Sequence, residues 1–161
     1  MAAHDFGGLA VNIELLKALC ETPGVPGREH RVRALIEKEI KGLFDEVSTD
    51  PMGSLLCRRD PRAAKSKAKN KPAPTKVMLL CHMDEIGFLV SHVTEKGHIY
   101  VHPVGGFDQR NLFSRRVLVC TEEGDFKGVM NPAGKPVHIQ EPEERKKVPE
   151  ISGFFIDIGL G

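Results

Sequence analysis

Apolar positions recur every three to four residues over 9–21, where Leu9, Ile13, Leu16 and Cys20 form a stripe widened by Leu15 and Leu19. That spacing predicts a helix with one buried face. Thr22-Pro23-Gly24 ends it, because proline cannot donate into the helical ladder. A second stripe (Val32, Leu35, Ile36, Ile40 and Leu43) predicts a helix over 28–43. Beyond residue 45 the period shortens to that of strands. Runs 46–49 and 54–58 flank Asp50-Pro51-Met52-Gly53, which has turn chemistry. The continuous apolar run Val77-Met78-Leu79-Leu80-Cys81 predicts a strand over 76–81 buried on both faces.

After residue 85 the pattern is all strand. Runs 87–93 and 98–104 flank Thr94-Glu95-Lys96-Gly97, and runs 116–121 and 126–130 flank Glu122-Glu123-Gly124-Asp125. Each is a hairpin signal. A last apolar run spans 151–158. Short strands with glycine-bearing turns predict a small β-barrel. The expected fold is α/β. It has a helix–helix–sheet start over 1–85, an inserted β domain over 86–150, and a final strand over 151–161 that returns to the first part.

With 161 residues the chain can bury one real core, and 40% hydrophobic with 28% charged residues is ordinary for a globular protein. The net charge of +1 points to neither a nucleic acid nor a membrane as partner. Its distribution is uneven: residues 58–76 hold eight bases and one acid, so the rest carries −6. This Ala/Lys/Pro-rich segment reads as an exposed, solubilising loop; the alternative, weak binding to a nucleic acid or an acidic surface, is disfavoured because the segment has no aromatics for base stacking. No run approaches the ~20 apolar residues of a membrane span, and no signal peptide is read at the N-terminus. Cys20, Cys57, Cys81 and Cys120 form no C-x-x-C pair. Cys20 and Cys81 read as small core residues, and a reduced, cytoplasmic protein is expected.

The candidate chemistry sits where the 77–81 run ends, at His82-Met83-Asp84-Glu85-Ile86. In open α/β sheets, functional groups collect at the carboxyl ends of strands. A neutral imidazole there can bind a metal, and a carboxylate two residues on points the same way if the strand continues. Such a carboxylate would accept the second N–H of the ring, fixing its tautomer. His82 is therefore the candidate metal ligand, and Asp84 the candidate catalytic residue that orients it. Both residues depend on a sheltered ring. An imidazole facing bulk solvent, or pointing away from the acid beside it, would overturn this reading.

Several segments together resemble the glutamyl and deblocking (tetrahedral-type) aminopeptidase family. They are the stretch Leu15 to Gly24 with Gly27-Arg28-Glu29, then Asp50-Pro51-Met52-Gly53-Ser54-Leu55, and above all His82-Met83-Asp84-Glu85-Ile86-Gly87-Phe88. Val104-Gly105-Gly106-Phe107-Asp108, Pro136-Val137-His138 and Ile156-Asp157-Ile158-Gly159 continue the match in order. The resemblance implies a zinc-exopeptidase-like domain interrupted by a small β-barrel, PDZ-like assembly domain. It implies a hydrolase with a peptide substrate, two divalent metal ions (zinc or cobalt), and homo-oligomers formed through the β insert. His82 would ligate one ion.

In that family the bridging aspartate, the adjacent glutamates, a further carboxylate and a late histidine follow the Ile-Asp-Ile-Gly strand. This chain carries one ligand and its orienter. The expectation is an N-terminal share of the enzyme that holds at most one ion, weakly, and is inactive alone. The alternative is a non-catalytic interaction module that assembles subunits. Ser54 stands where the family has asparagine, Pro26 where small residues are common, and 58–76 reads as an insertion. Glycoside hydrolysis lacks its paired carboxylates.

Other candidates have blander readings. His98, Tyr100 and His102 alternate on one face of a solvated strand, and His30 and His92 carry no constellation. His138 has a packing role. Glu85 is expected either to make a structural hydrogen bond or to support the ligand from behind, and Asp157 either to support the site or to make capping or turn contacts. The mixed charges Glu141 to Lys147 mark a solvated surface.

Overall fold

The computed structural model describes residues 11–61 and 75–160, without the side chain of Val137. Most of the basic loop and positions 9–10 of the first predicted helix lie outside the described residues. The chain divides into two compact units, one through Asp84 and the other from Glu85.

In the first unit, α1 spans Ile13–Glu21. Asn12 caps its start by accepting the Leu15 N–H at 3.0 Å, and the Thr22 hydroxyl donates to the Ala18 carbonyl at 2.6 Å. Both bonds satisfy backbone groups that a helix end leaves open. Helix α2 spans His30–Glu39. Its Val32 packs against Gly24, where a Cβ would lie 2.7 Å from Val32 Cγ1, so only glycine fits there. Strands β1 (Glu46–Thr49) and β2 (Leu55–Arg58) form an antiparallel hairpin. Its turn is held by Asp50 Oδ1, which accepts from Met52 N–H at 2.9 Å and Ser54 N–H at 2.8 Å. Gly53 adopts φ 93°, and its carbonyl accepts from Arg33 of α2 at 3.0 Å.

The second unit is a five-stranded antiparallel sheet. Its strands are β3 (Gly87–Val93), β4 (Ile99–Val104), β5 (Arg115–Cys120), β6 (Asp125–Pro132) and β7 (Phe154–Asp157). The sheet order is β3-β4-β7-β6-β5, so β3 and β5 are its edges. A one-turn helix α3, Pro142–Arg145, precedes β7 and carries a capping box between Glu141 and Glu144. One sheet face holds the core: Ile99, Val101, Leu112, Met130, Phe154 and Ile156, with Phe88, Phe107, Val117 and Val119 packed against it. Phe154 and Met130 are fully buried. Gly128 allows the close passage of β7: a Cβ there would lie 2.7 Å from Ile156 Cγ2.

Three expectations are corrected. The final strand does not return to the first unit. β7 pairs with β4 through Ile99↔Ile156 and with β6 through Met130↔Ile156, at the centre of the second sheet. Its alternating inner residues Phe154 and Ile156 complete that core, which outweighs any claim based on chain order. Residues 76–81 are not a buried strand. They carry no ladder among the described residues, and Val77, Met78, Leu79 and Leu80 are 79%, 78%, 87% and 82% exposed. A strand requires a partner for its backbone groups, and no described segment supplies one. Cys20 and Cys81 are exposed rather than core residues, and none of the four cysteines is in a disulfide among the described residues. Cys20 shares the situation of its helix: α1 buries none of its residues, and α2 buries only Val32.

Candidate functional site

His82 follows the exposed apolar run. Its Nδ1 lies 3.0 Å from the backbone carbonyl of Asp84 and 3.5 Å from that residue's Oδ1. A carbonyl only accepts, so this contact requires the proton on Nδ1 and leaves the Nε2 lone pair open. The local partner is thus chiefly the Asp84 main chain, with the carboxylate beside it. The irregular backbone that brings them together needs no strand. The ring is not sheltered, since the His82 side chain is 87% exposed and that of Asp84 43%. The expected shelter is absent because the run before it has no sheet neighbours among the described residues.

An imidazole with a free Nε2 fits one position of a zinc or cobalt site. A full site takes three or four donors. Among the described residues no three His, Cys, Asp or Glu side chains converge. The described residues therefore fit one ligand of such a site and leave the others to be supplied.

The remaining candidates are occupied differently. His92 stacks on Tyr100 with ring centroids 4.8 Å apart, and His98 packs on Phe155 at 4.6 Å. Tyr100 also meets Phe155 at 6.3 Å, so the outer face of β3, β4 and β7 carries an aromatic row. Sequence alternation placed His98 and Tyr100 together. It missed His92 and Phe155, because cross-strand register decides them. His102 and His138 are exposed, His138 in a short 3₁₀ turn. Asp157 Oδ1 accepts the Gly159 N–H at 2.8 Å, the turn contact that was one of its two expected roles. Asp108 of the Gly-Gly-Phe-Asp segment is engaged by Arg110, with Nη2 to Oδ2 at 2.7 Å and Nε to Oδ1 at 2.9 Å. These hydrogen bonds hold the Asp108 carboxyl below its ordinary range and raise the Arg110 guanidinium.

Comparison with known proteins extends this geometry. Residues 63–161 match the model of the M42 glutamyl aminopeptidase family. A lysyl aminopeptidase from Pyrococcus furiosus is 31% identical over 150 residues, covering 92% of this chain and 40% of that protein. An aminopeptidase structure from Desulfurococcus kamchatkensis superposes with a TM-score of 0.74 at 34% identity, covering 91% of this chain and 37% of its own. The Pyrococcus horikoshii TET1 peptidase, described as able to assemble into a tetrahedron or a large octahedral shell, superposes with a TM-score of 0.72 at 31% identity. Coverage there is 91% of this chain and 40% of the other. The chain thus spans about 40% of the length of the relatives it matches. The mixed helix-and-sheet fold is shared with these aminopeptidases. More than half of the chain matches the family model, and the collinear segments around His82 agree with it, so the chain belongs to the M42 glutamyl aminopeptidase family.

Proposed function

We propose that this chain contributes to a metal-dependent aminopeptidase that hydrolyses N-terminal residues from peptides, with His82 as one metal ligand and Asp84 as its orienting residue. The family match over 63–161 carries the reading. The exposed ring lacks the shelter expected from the sequence, so the roles rest on the family match, and the Nδ1 contact bears only on which atom would ligate. The Asp84 carbonyl takes the Nδ1 proton, so Nε2 is the ligating atom. The Asp84 carboxylate at 3.5 Å favours the positive charge that ligation draws onto the ring. His82 would be one of the residues holding a divalent ion, which when bound would supply polarisation of the peptide carbonyl and a water of lowered pKa. The first unit would be the zinc-exopeptidase-like part, and the second the β-barrel-type, PDZ-like insert.

Cobalt(II) titration followed by NMR tests the ligand assignment. Signals of the His82 ring are expected to broaden first, only at high ion concentration, and not in His82→Ala. Broadening that spares His82 overturns it. Incubating the purified chain with leucine p-nitroanilide and zinc or cobalt should give no turnover, because one donor does not make the site. Turnover would overturn the one-ligand reading.

A second reading is subunit assembly through the β unit, without catalysis. It is favoured by the two sheet edges, β3 and β5, whose outer backbone groups have no ladder partner among the described residues. Light scattering that finds stable dimers, together with no peptidase activity, supports it. A monomer at all concentrations excludes it.

A further inference from the structure

The outer face of β5, β6 and β7 forms an open groove of about 730 Å³. That size lies within the ~300–1,000 Å³ of sites that hold drug-sized ligands. Alternation along the three strands dictates its lining. Leu118, Val129 and Phe155 point outward, opposite the core residues Met130 and Ile156, and supply an apolar floor. Arg116 and Lys127 share this face. Arg116 pairs with Val129 and Lys127 with Leu118, so the two cations are diagonal neighbours across one ladder. Like charges so placed repel each other. Neither makes an ion pair or side-chain hydrogen bond among the described residues. Asp157, the one acid among the described lining residues, pairs with Val129 and so lies diagonal to Lys127 without an ion pair to it; it sits two strands from Arg116, roughly 10 Å across the sheet, and accepts the Gly159 N–H. Arg116 also borders an adjoining polar depression of about 490 Å³ formed with Phe113, Ser114 and Arg115. Asn131 Oδ1 accepts from Ser114 N–H and Oγ, each at 3.2 Å, which leaves its amide N–H groups for a ligand.

Two unpartnered cations beside an apolar floor with an amide donor complement an anion attached to an apolar body. We propose that this groove binds a short acidic peptide segment, its carboxylates on Arg116 and Lys127 and its apolar side chains on Leu118, Val129 and Phe155. A bound carboxylate would relieve the cation–cation repulsion and reach the Asn131 amide. The apolar floor favours a peptide that alternates leucine with glutamate over a free inorganic anion.

Fluorescence anisotropy of the whole chain with labelled acetyl-Leu-Glu-Leu-Glu tests this. The acetyl group removes the free amine an aminopeptidase acts on. Binding is expected, weakened in about 1 M salt, where the screening length is roughly 3 Å. The Arg116→Ala/Lys127→Ala double variant should bind about tenfold more weakly, and Arg116→Lys should retain most of the affinity. Acetyl-Leu-Lys-Leu-Lys and acetyl-Ser-Glu-Ser-Glu should bind poorly. An unchanged melting temperature in the double variant confirms that folding is intact. Equal binding by the double variant, or equal binding of the acidic and basic peptides, overturns the proposal. So does self-association that the double variant abolishes in the absence of peptide binding, which would make a second copy the occupant.

Discussion

Replacing Leu79 with lysine separates two physical pictures of the 77–81 run. In a buried strand the leucine side chain contributes about 1.5–3 kcal/mol through burial. A lysine there would lose this and would also place an unpaired ammonium in an apolar setting, so the total cost would exceed about 3 kcal/mol. The structure instead leaves Leu79 87% exposed, with Leu80 at 82% and no strand partner among the described residues. Little burial is then lost, and the expected change is within about 0.5 kcal/mol. A contiguous exposed apolar run is also adhesive surface, so the lysine should reduce self-association. Urea unfolding followed by far-ultraviolet circular dichroism measures the first effect, and light scattering over a concentration series measures the second. A loss of more than about 2 kcal/mol, taken from the midpoint and slope, would refute the exposed assignment. Leu80→Lys should behave in the same way.

Two further outcomes are expected. Phe154→Ala empties a fully buried site on the central strand, beside Phe113 at 5.4 Å, and should cost about 3–5 kcal/mol in urea unfolding. Leu118→Ala, at 47% exposed, is the control, and equal costs would contradict the described core. Asp50→Ala removes the acceptor for Ser54 and Met52 N–H. The Ser54 N–H is the main cause of the lowered Asp50 carboxyl pKa, whose ordinary value is 3.8. A lowered folded value stabilises above the unfolded pKa and is lost as pH falls through the folded one. The melting temperature of the variant should therefore lie below that of the wild type at neutral pH and converge with it below pH 3.8, whereas a pH-independent gap would contradict this origin.

Local chemistry was legible in the residues. Asp50-Pro51-Met52-Gly53 forms the turn its composition demands, because Asp50 reaches its own backbone and Gly53 tolerates φ 93°. Strand β3 spans the predicted residues, and the two helices and the other hairpin strands lie within a few residues of theirs. The proposal of His82 as a ligand likewise rests on a local pattern, a His-x-Asp triplet directly after an apolar run.

Tertiary structure decided everything that depends on which segments meet. Phe154 to Asp157 follows a charged stretch, and nothing local says whether its partners are β4 and β6 or an earlier sheet; the register of Ile156 against Ile99 and Met130 decides it. Val77 to Leu80 read as core from composition alone, yet burial is a property of neighbours, and the described residues provide none. Likewise Arg116 and Lys127 are eleven positions apart in the chain and become neighbours only through the β5–β6 ladder. Periodicity records which face of a strand a side chain takes. The pairing of strands, which alone places that face against a core, a ligand or water, is a long-range choice that no short window of sequence contains.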